Sequence, residues 1–347
     1  MKVFWTAAYD PKMLEPLKSL PGIDEVVVDG DALGLGKLDP ETLKAKTADA
    51  DIIVTEFDDI TREIIENAPN LKLIACTRAT PVNVDTQCAK ERGIPVLFAP
   101  GRNSDATAEL TIGLMISIAR KLPMAHMALK NGLYTAPEVK ELETKEGLRA
   151  DVFWGPGPGQ PYTVFKGVEL KGKTLGIVGY GSIGRRVGKI ARAFGMELLL
   201  YDPYVGEVDV EEVGVRKALT LRQLMEEADF VSCHLKVTPE TKGCISREMI
   251  ACMKPTAYFI NASRSAILDE EALIDALREK KIAGAAFDVY AKEPIPCNHA
   301  YIKELDNVVI APHIAGASEE VLTNHTKMIV GDVRRFLNGE PLLYQYK

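Results

Sequence analysis

This 347-residue chain has no long apolar run, no cluster of cysteines and no block of basic residues. Nowhere do 18 apolar residues follow one another, so no membrane span and no membrane partner are expected. The N-terminal MKVFWTAAYDPKM lacks the apolar core and small-residue cleavage site of a secretory signal. The six cysteines (Cys76, Cys88, Cys233, Cys244, Cys252, Cys297) are scattered, without a CxxC pair or a Cys/His grouping at metal-binding spacing. Free thiols in the cytoplasm, and no metal, are the simplest expectation. Lys and Arg are dispersed and outnumbered, 42 against 49 Asp and Glu, giving a formal charge of -7. Binding through phosphate neutralisation is therefore disfavoured, and nucleic acid is not an expected partner.

What the chain does have is alternation. The β-rich runs KVFWTAAY, EVVVDG, DIIVTEF, LKLIACT and PVLFAP are separated by helical stretches such as ITREIIENAP and VDTQCAKERG. This pattern predicts a parallel sheet with crossover helices. It restarts with TLGIVGYG, ELLLYD, DFVSCHL, AYFINAS, IAGAAFDV and NVVIAP, apolar enough for strands buried on both faces. Two α/β units are thus expected. An apolar-periodic helix over roughly Ser104 to Asn131 lies between them. The next stretch, Tyr134 to Tyr162, ends in WGPGPGQP and reads as an irregular surface excursion, with Phe153 and Trp154 as its packing residues. A last helix over Ser318 to Asn338 most simply packs back on the first unit.

Gly179-Tyr180-Gly181-Ser182-Ile183-Gly184 follows one predicted strand and opens a predicted helix, the context in which GxGxxG binds a dinucleotide. Gly179 permits the tight turn, Gly181 a close approach of pyrophosphate, and Gly184 close helix–strand packing, with the helix N-terminus facing the phosphates. Asp202 ends the next strand, eighteen residues after Gly184. A carboxylate there binds both ribose hydroxyls of NAD and repels the extra phosphate of NADP.

Hydride transfer to a keto acid needs a proton donor, a cation for the carboxylate and a group that keeps the donor charged. Arg264 after FINAS, Glu293 after AAFDV and His313 after VVIAP supply all three at strand ends, where open parallel sheets bind ligands. Imidazole suits reversible proton exchange near neutrality, and a neighbouring carboxylate such as Glu293 favours the imidazolium and fixes the ring.

The stretches AELTIGLMISIAR, GKTLGIVGYGSIGRRVGK, VSCHLKVTPETKG, KPTAYFINASRSAILDEEAL, AAFDVYAKEPIP and NVVIAPHIAGAS resemble those of the D-isomer-specific 2-hydroxyacid dehydrogenases. That family includes D-lactate, glyoxylate, hydroxypyruvate and D-3-phosphoglycerate dehydrogenases. The resemblance implies that Arg264 holds the substrate carboxylate, His313 is the general acid/base and Glu293 is its partner. It further implies that Asp288 binds the nicotinamide carboxamide and that His234 lines the cofactor pocket. Formate dehydrogenases are similar but carry Gln where Glu293 stands.

The implied architecture has two doubly wound parallel-sheet domains. One is a flavodoxin-like substrate domain of residues 1–102 plus 318–347; the other is a Rossmann cofactor domain of 103–317 carrying the 134–162 insert. The implied active site lies in the cleft between them, closed by hinge motion near Arg102 and Gly316. The long helix after Ser104 is the implied dimer-forming element, so a homodimer acting on a small 2-hydroxy or 2-oxo acid is expected.

Two departures bear on the substrate. Where the family has a glycine-rich run, this chain has Arg78-Ala79-Thr80-Pro81-Val82-Asn83, and a Cβ at those positions crowds the usual backbone approach. Lys236 stands where the family has Pro. Arg78, Ala79, Thr80 and Lys236 are therefore candidate substrate residues, for a sugar acid or a phosphorylated acid. Amino or thiol acids are also compatible with Arg264. A binding-module alternative, an NAD(H)-sensing corepressor with little turnover, keeps the same residues.

Overall fold

The computed structural model describes residues 1–135, 157–206 and 215–347, and these form two compact units, Met1–Asn103 with Gly316–Lys347, and Ser104–Ala315.

In the first unit, β1 (Lys2–Trp5), β2 (Glu25–Val28), β3 (Ile52–Thr55), β4 (Leu73–Cys76) and β5 (Val96–Leu97) make an all-parallel sheet in the order β2-β1-β3-β4-β5. IIVT and LIAC are wholly buried, as β-branched and aliphatic runs in central parallel strands should be. Three of its helices start at side-chain caps: Asp39, Thr61 and Asp85 accept N–H groups of Thr42, Ile64 and Cys88. One sheet face packs on Leu43, Ile64, Ile65 and Cys88, the other on Leu14, Leu17, Ile329 and Val333. The final helix, Glu319–Leu337, therefore completes this unit. It carries His325, whose buried Nδ1 accepts from Arg102 Nη1 at 2.7 Å while Nε2 donates to Ala8 O at 2.8 Å. Arg102 also pairs with Glu56 at 2.6 Å.

The second unit holds β6 (Thr174–Val178), β7 (Glu197–Tyr201), β8 (Arg216–Lys217), β9 (Phe230–Cys233), β10 (Tyr258–Asn261), β11 (Gly284–Phe287) and β12 (Val308–Ile310). Their order, β12-β11-β10-β9-β6-β7-β8, is again all parallel and reverses direction at β6. The C-terminal edge beside such a switch point is where α/β sheets bind ligands.

The helix expected over Ser104 to Asn131 is two helices, Ser104–Ala119 and Leu122–Lys130, bent by 67°. Lys121 between them takes a left-handed φ of 52°, and Pro123 sits in the first turn of the second helix, where its missing N–H costs nothing. The excursion is not wholly irregular: Pro161–Val164 makes a helical turn, and Phe165 just beyond meets Tyr134 edge-on at 5.7 Å. Phe153, Trp154 and the rest of 136–156 lie outside the described residues. No single described helix is long and apolar enough to cross a membrane.

Candidate active site

β6 runs straight into the glycine turn. Gly179 has φ 92°, and a Cβ there would stand 3.0 Å from His234 O; a Cβ at Gly184 would stand 2.2 Å from Gly179 O. Only glycine lets the helix Ser182–Ala193 start this close to the strand. By contrast a Cβ at Gly181 would meet nothing within 4 Å, so the turn is open on that side. The helix N-terminus has no side-chain cap, leaving its first N–H groups for an anion. The Ser182 hydroxyl is held by Ser104 Oγ at 2.9 Å and Arg186 Nη1 at 2.8 Å, and half-buried Ile183 packs against the core beneath. Asp202, just past β7, accepts Tyr180 N–H at 2.8 Å and Tyr204 N–H at 2.9 Å, which fixes the carboxylate beside the glycine turn.

His234 follows β9 on the neighbouring side. Its Nε2 lies 2.9 Å from Ser232 Oγ, and its Nδ1 is buried with no partner among the described residues. Burial pushes its pKa down to about 4, so the ring is neutral. A glycine cradle, an open helix N-terminus, an aligned carboxylate and an orphaned ring nitrogen together fit a dinucleotide.

Arg264, Glu293 and His313 follow the ends of β10, β11 and β12. Buried Asn261 shapes the first turn: its Nδ2 donates to Arg264 O at 3.0 Å, and its Oδ1 accepts Ser263 N–H at 3.0 Å and Ser263 Oγ–H at 2.8 Å. Arg264 is left exposed, with Nη1 donating to Ser263 O at 2.7 Å. Glu293 and His313, twenty residues apart, meet with Oε2 2.6 Å from Nδ1. Burial works to raise the Glu293 pKa, but the His313 hydrogen bond, the Tyr290 N–H and the charges of His313 and Arg264 outweigh it and hold it below the usual carboxylate range. Both side chains stay partly open, 47% for His313 and 36% for Glu293.

Asp288 follows β11 directly. Its carboxylate is fully buried, with Oδ1 accepting Ile314 N–H at 2.8 Å and Oδ2 accepting Ala315 N–H at 2.7 Å. Burial raises its pKa against those two bonds. The group thereby grips the His313 loop. Sequence reasoning passed over Asn261 and Tyr290; the available signal for Asn261 was a polar residue ending the apolar run AYFIN.

The other candidates are dispersed. Arg78 stands past β4 in the first unit, its guanidinium 5.5 Å above the Phe57 ring and without an ion pair among the described residues. Ala79 and Thr80 beside it are exposed. Lys236 is exposed in the second unit beyond β9, held only through its carbonyl, which accepts from Thr241 Oγ1 at 2.6 Å.

A switch-point glycine turn followed by a His–carboxylate pair defines a dinucleotide-dependent dehydrogenase class. Residues 112–315 match the model of the D-isomer specific 2-hydroxyacid dehydrogenase NAD binding domain. A D-3-phosphoglycerate dehydrogenase of Methanocaldococcus jannaschii is 38% identical over 332 residues, covering 95% of this chain and 57% of its own. A glyoxylate reductase of Thermococcus litoralis is 36% identical over 299 residues, covering 86% of this chain and 84% of its own. The crystal structure of a D-isomer specific 2-hydroxyacid dehydrogenase described as putative, from Polaromonas, superposes with a TM-score of 0.80 at 27% identity, covering 100% and 99% of the two chains. This chain belongs to the D-isomer specific 2-hydroxyacid dehydrogenase family, a family of NAD-dependent dehydrogenases.

Proposed function

We propose that this protein reduces a 2-oxo acid to the D-2-hydroxy acid, and catalyses the reverse, with His313 as general acid/base, Glu293 as its partner and Arg264 as the carboxylate cation. The observation that carries the reading is the 2.6 Å contact between His313 Nδ1 and Glu293 Oε2. When bound, NADH supplies the hydride that adds to C2. His313 gives a proton from Nε2 to the C2 oxygen, while Glu293 keeps Nδ1–H in place and stabilises the charged ring. Arg264 binds the carboxylate and polarises the oxygen. Gly179, Gly181, Ser182, Ile183 and Gly184 hold the pyrophosphate, His234 lines the pocket, and Asp202 favours NAD over NADP.

For the acid itself, the reading is a sugar acid or a phosphorylated acid, with Arg78, Ala79, Thr80 and Lys236 serving its distal end. Support comes from the Arg78 guanidinium, which rests on Phe57 without a carboxylate partner among the described residues. The relatives named for 3-phosphoglycerate and glyoxylate bracket the range of sizes. A homodimer through the helix Leu122–Lys130 is supported by Leu122, Met127 and Leu129, each more than half exposed. Six unpaired cysteines accord with a cytoplasmic setting.

NADH oxidation against glyoxylate, pyruvate, hydroxypyruvate, sugar-derived and phosphorylated 2-oxo acids tests this function. Turnover of one of them that disappears in His313→Ala supports it. NADH binding without reduction of any acid counts against it, in favour of a cofactor-sensing protein.

A further inference from the structure

His313 has a left-handed backbone, φ 57°, in a loop whose side chain must meet Glu293 to within a few tenths of an ångström. For a residue with a Cβ that conformation is disfavoured, and it persists only where the surroundings over-determine it. Behind His313 in sequence the restraint is Asp288, which takes the N–H groups of Ile314 and Ala315. Ahead of it the restraint is Tyr290, whose hydroxyl donates to Ala311 O at 2.7 Å. The His313 N–H in turn reaches the same carbonyl at 3.1 Å.

Tyr290 also acts on the other partner. Its backbone N–H donates to Glu293 Oε1 at 3.0 Å, leaving Oε2 for the imidazole. One residue therefore orients the carboxylate through its main chain and the histidine loop through its side chain. We propose that Tyr290 is a positioning residue for the reaction: it sets the spacing and orientation of the Glu293–His313 pair without touching substrate or cofactor. The inference rests on the reading of that pair as the acid/base centre.

The chemistry of the phenol suits the task. Its ring is 6% exposed and packs in the same core as Phe287 and Tyr301. Burial first, and the nearby Asp288 and Glu293 carboxylates, push its pKa upward against the Ala311 bond, so it stays a neutral donor at all working pH. Removing the hydroxyl leaves the ring and its packing in place but frees the Ala311 carbonyl. The charged groups around His313 are then unchanged in identity: Glu293 at its Nδ1, Asp288 beneath its loop and Arg264 near Glu293. Only their distances become variable.

Tyr301 supplies a matched control. It is 4% exposed in the same core, stacked on Phe287 at 4.5 Å, and its hydroxyl has no hydrogen-bond partner among the described residues. Tyr290→Phe, Tyr301→Phe and His313→Ala are to be compared in the full chain with the best 2-oxo acid from the panel. Each is measured for kcat, KM, the NADH dissociation constant by fluorescence quenching and the thermal midpoint. Tyr290→Phe is expected to lower kcat about 5- to 20-fold, the size of one misaligned catalytic contact, with the NADH dissociation constant within about twofold. Its KM for the acid is expected to stay within about twofold, so that the loss falls on kcat. Tyr301→Phe should keep wild-type kcat and KM. A Tyr290→Phe enzyme whose kcat matches that of Tyr301→Phe overturns the inference. Full turnover in His313→Ala overturns the reading of the pair beneath it, and is separately visible.

Discussion

Nδ1 of His313 faces Oε2 of Glu293 at 2.6 Å, and this contact orients the imidazole ring. An ionised carboxylate only accepts, so Nδ1 carries the hydrogen and Nε2 is the atom free to exchange a proton. Asp288 and Tyr290, gripping the loop on either side of His313, extend this order into the backbone.

Arg264 gives the first prediction. If it binds the substrate carboxylate, Arg264→Ala loses a charge-assisted pair worth about 1.5–3 kcal/mol, and kcat/KM falls about 10- to 100-fold. Arg264→Lys recovers only part of it, since an ammonium lacks the two-pronged geometry. Asn261→Ala, which frees the Arg264 carbonyl, should lower the same constant without contact with the acid. Steady-state kinetics on the three variants checks this, and an unchanged kcat/KM in Arg264→Ala refutes it.

Cofactor choice is the second. If Asp202 accepts the ribose hydroxyls and repels a 2′-phosphate, as we propose, Asp202→Ala weakens NADH binding about tenfold and narrows the gap to NADPH. The variant also loses the acceptor for Tyr180 and Tyr204 N–H, so a lower thermal midpoint should accompany the change. Titration of both cofactors by fluorescence reads the ratio. A wild-type protein that prefers NADPH contradicts the assignment.

Buried histidines make stability depend on pH. The His234 ring titrates at about 4 when folded, against about 6.5 in an unfolded chain. Below pH 6.5 the unfolded chain therefore takes up a proton that the folded ring refuses, and stability is lost progressively until about pH 4. At about 1.4 kcal/mol per pH unit the full loss is on the order of 3 kcal/mol. His325, which burial also lowers, acts in the same direction. Asp288, raised by burial, acts in the opposite one. Urea unfolding at pH 7 and pH 5 without cofactor should show the fall, and His234→Gln should reduce it. Equal slopes in the two proteins would refute the His234 contribution.

Substrate selection is the fourth. With Arg78→Ala, kcat/KM for a phosphorylated or polyhydroxylated acid should fall by about tenfold or more, as for one lost charge-assisted bond, while that for glyoxylate changes little. Lys236→Ala should act in the same sense more weakly, because its ammonium is exposed and screened. A parallel fall for every acid would make Arg78 structural.

Much of this was legible in the sequence, because its signals are local. Strands such as IIVT and LIAC announce burial by composition, and GYGSIG sits between a strand and a helix as a dinucleotide turn must. The two-residue strand Arg216–Lys217 was not legible, since a short polar edge strand has no periodicity to read. Nor was the break at Lys121: apolar periodicity runs through it, and only the left-handed φ of one residue turns the chain. The work of Asp288 and Tyr290 was hidden for a different reason. The groups that the Asp288 carboxylate and the Tyr290 hydroxyl hold in the His313 loop lie more than twenty residues away and are backbone groups, which carry no residue-type signal.

The most direct test is the rate of NADH oxidation by His313→Ala and Glu293→Gln at saturating NADH and the best 2-oxo acid, beside their NADH dissociation constants. Loss of the acid/base group should lower kcat by about 10²- to 10⁴-fold in His313→Ala. Glu293→Gln, which keeps a hydrogen-bond acceptor but no charge, should lose less, with cofactor binding near wild type in both. A His313→Ala enzyme that binds NADH and turns over at the wild-type rate would contradict the account.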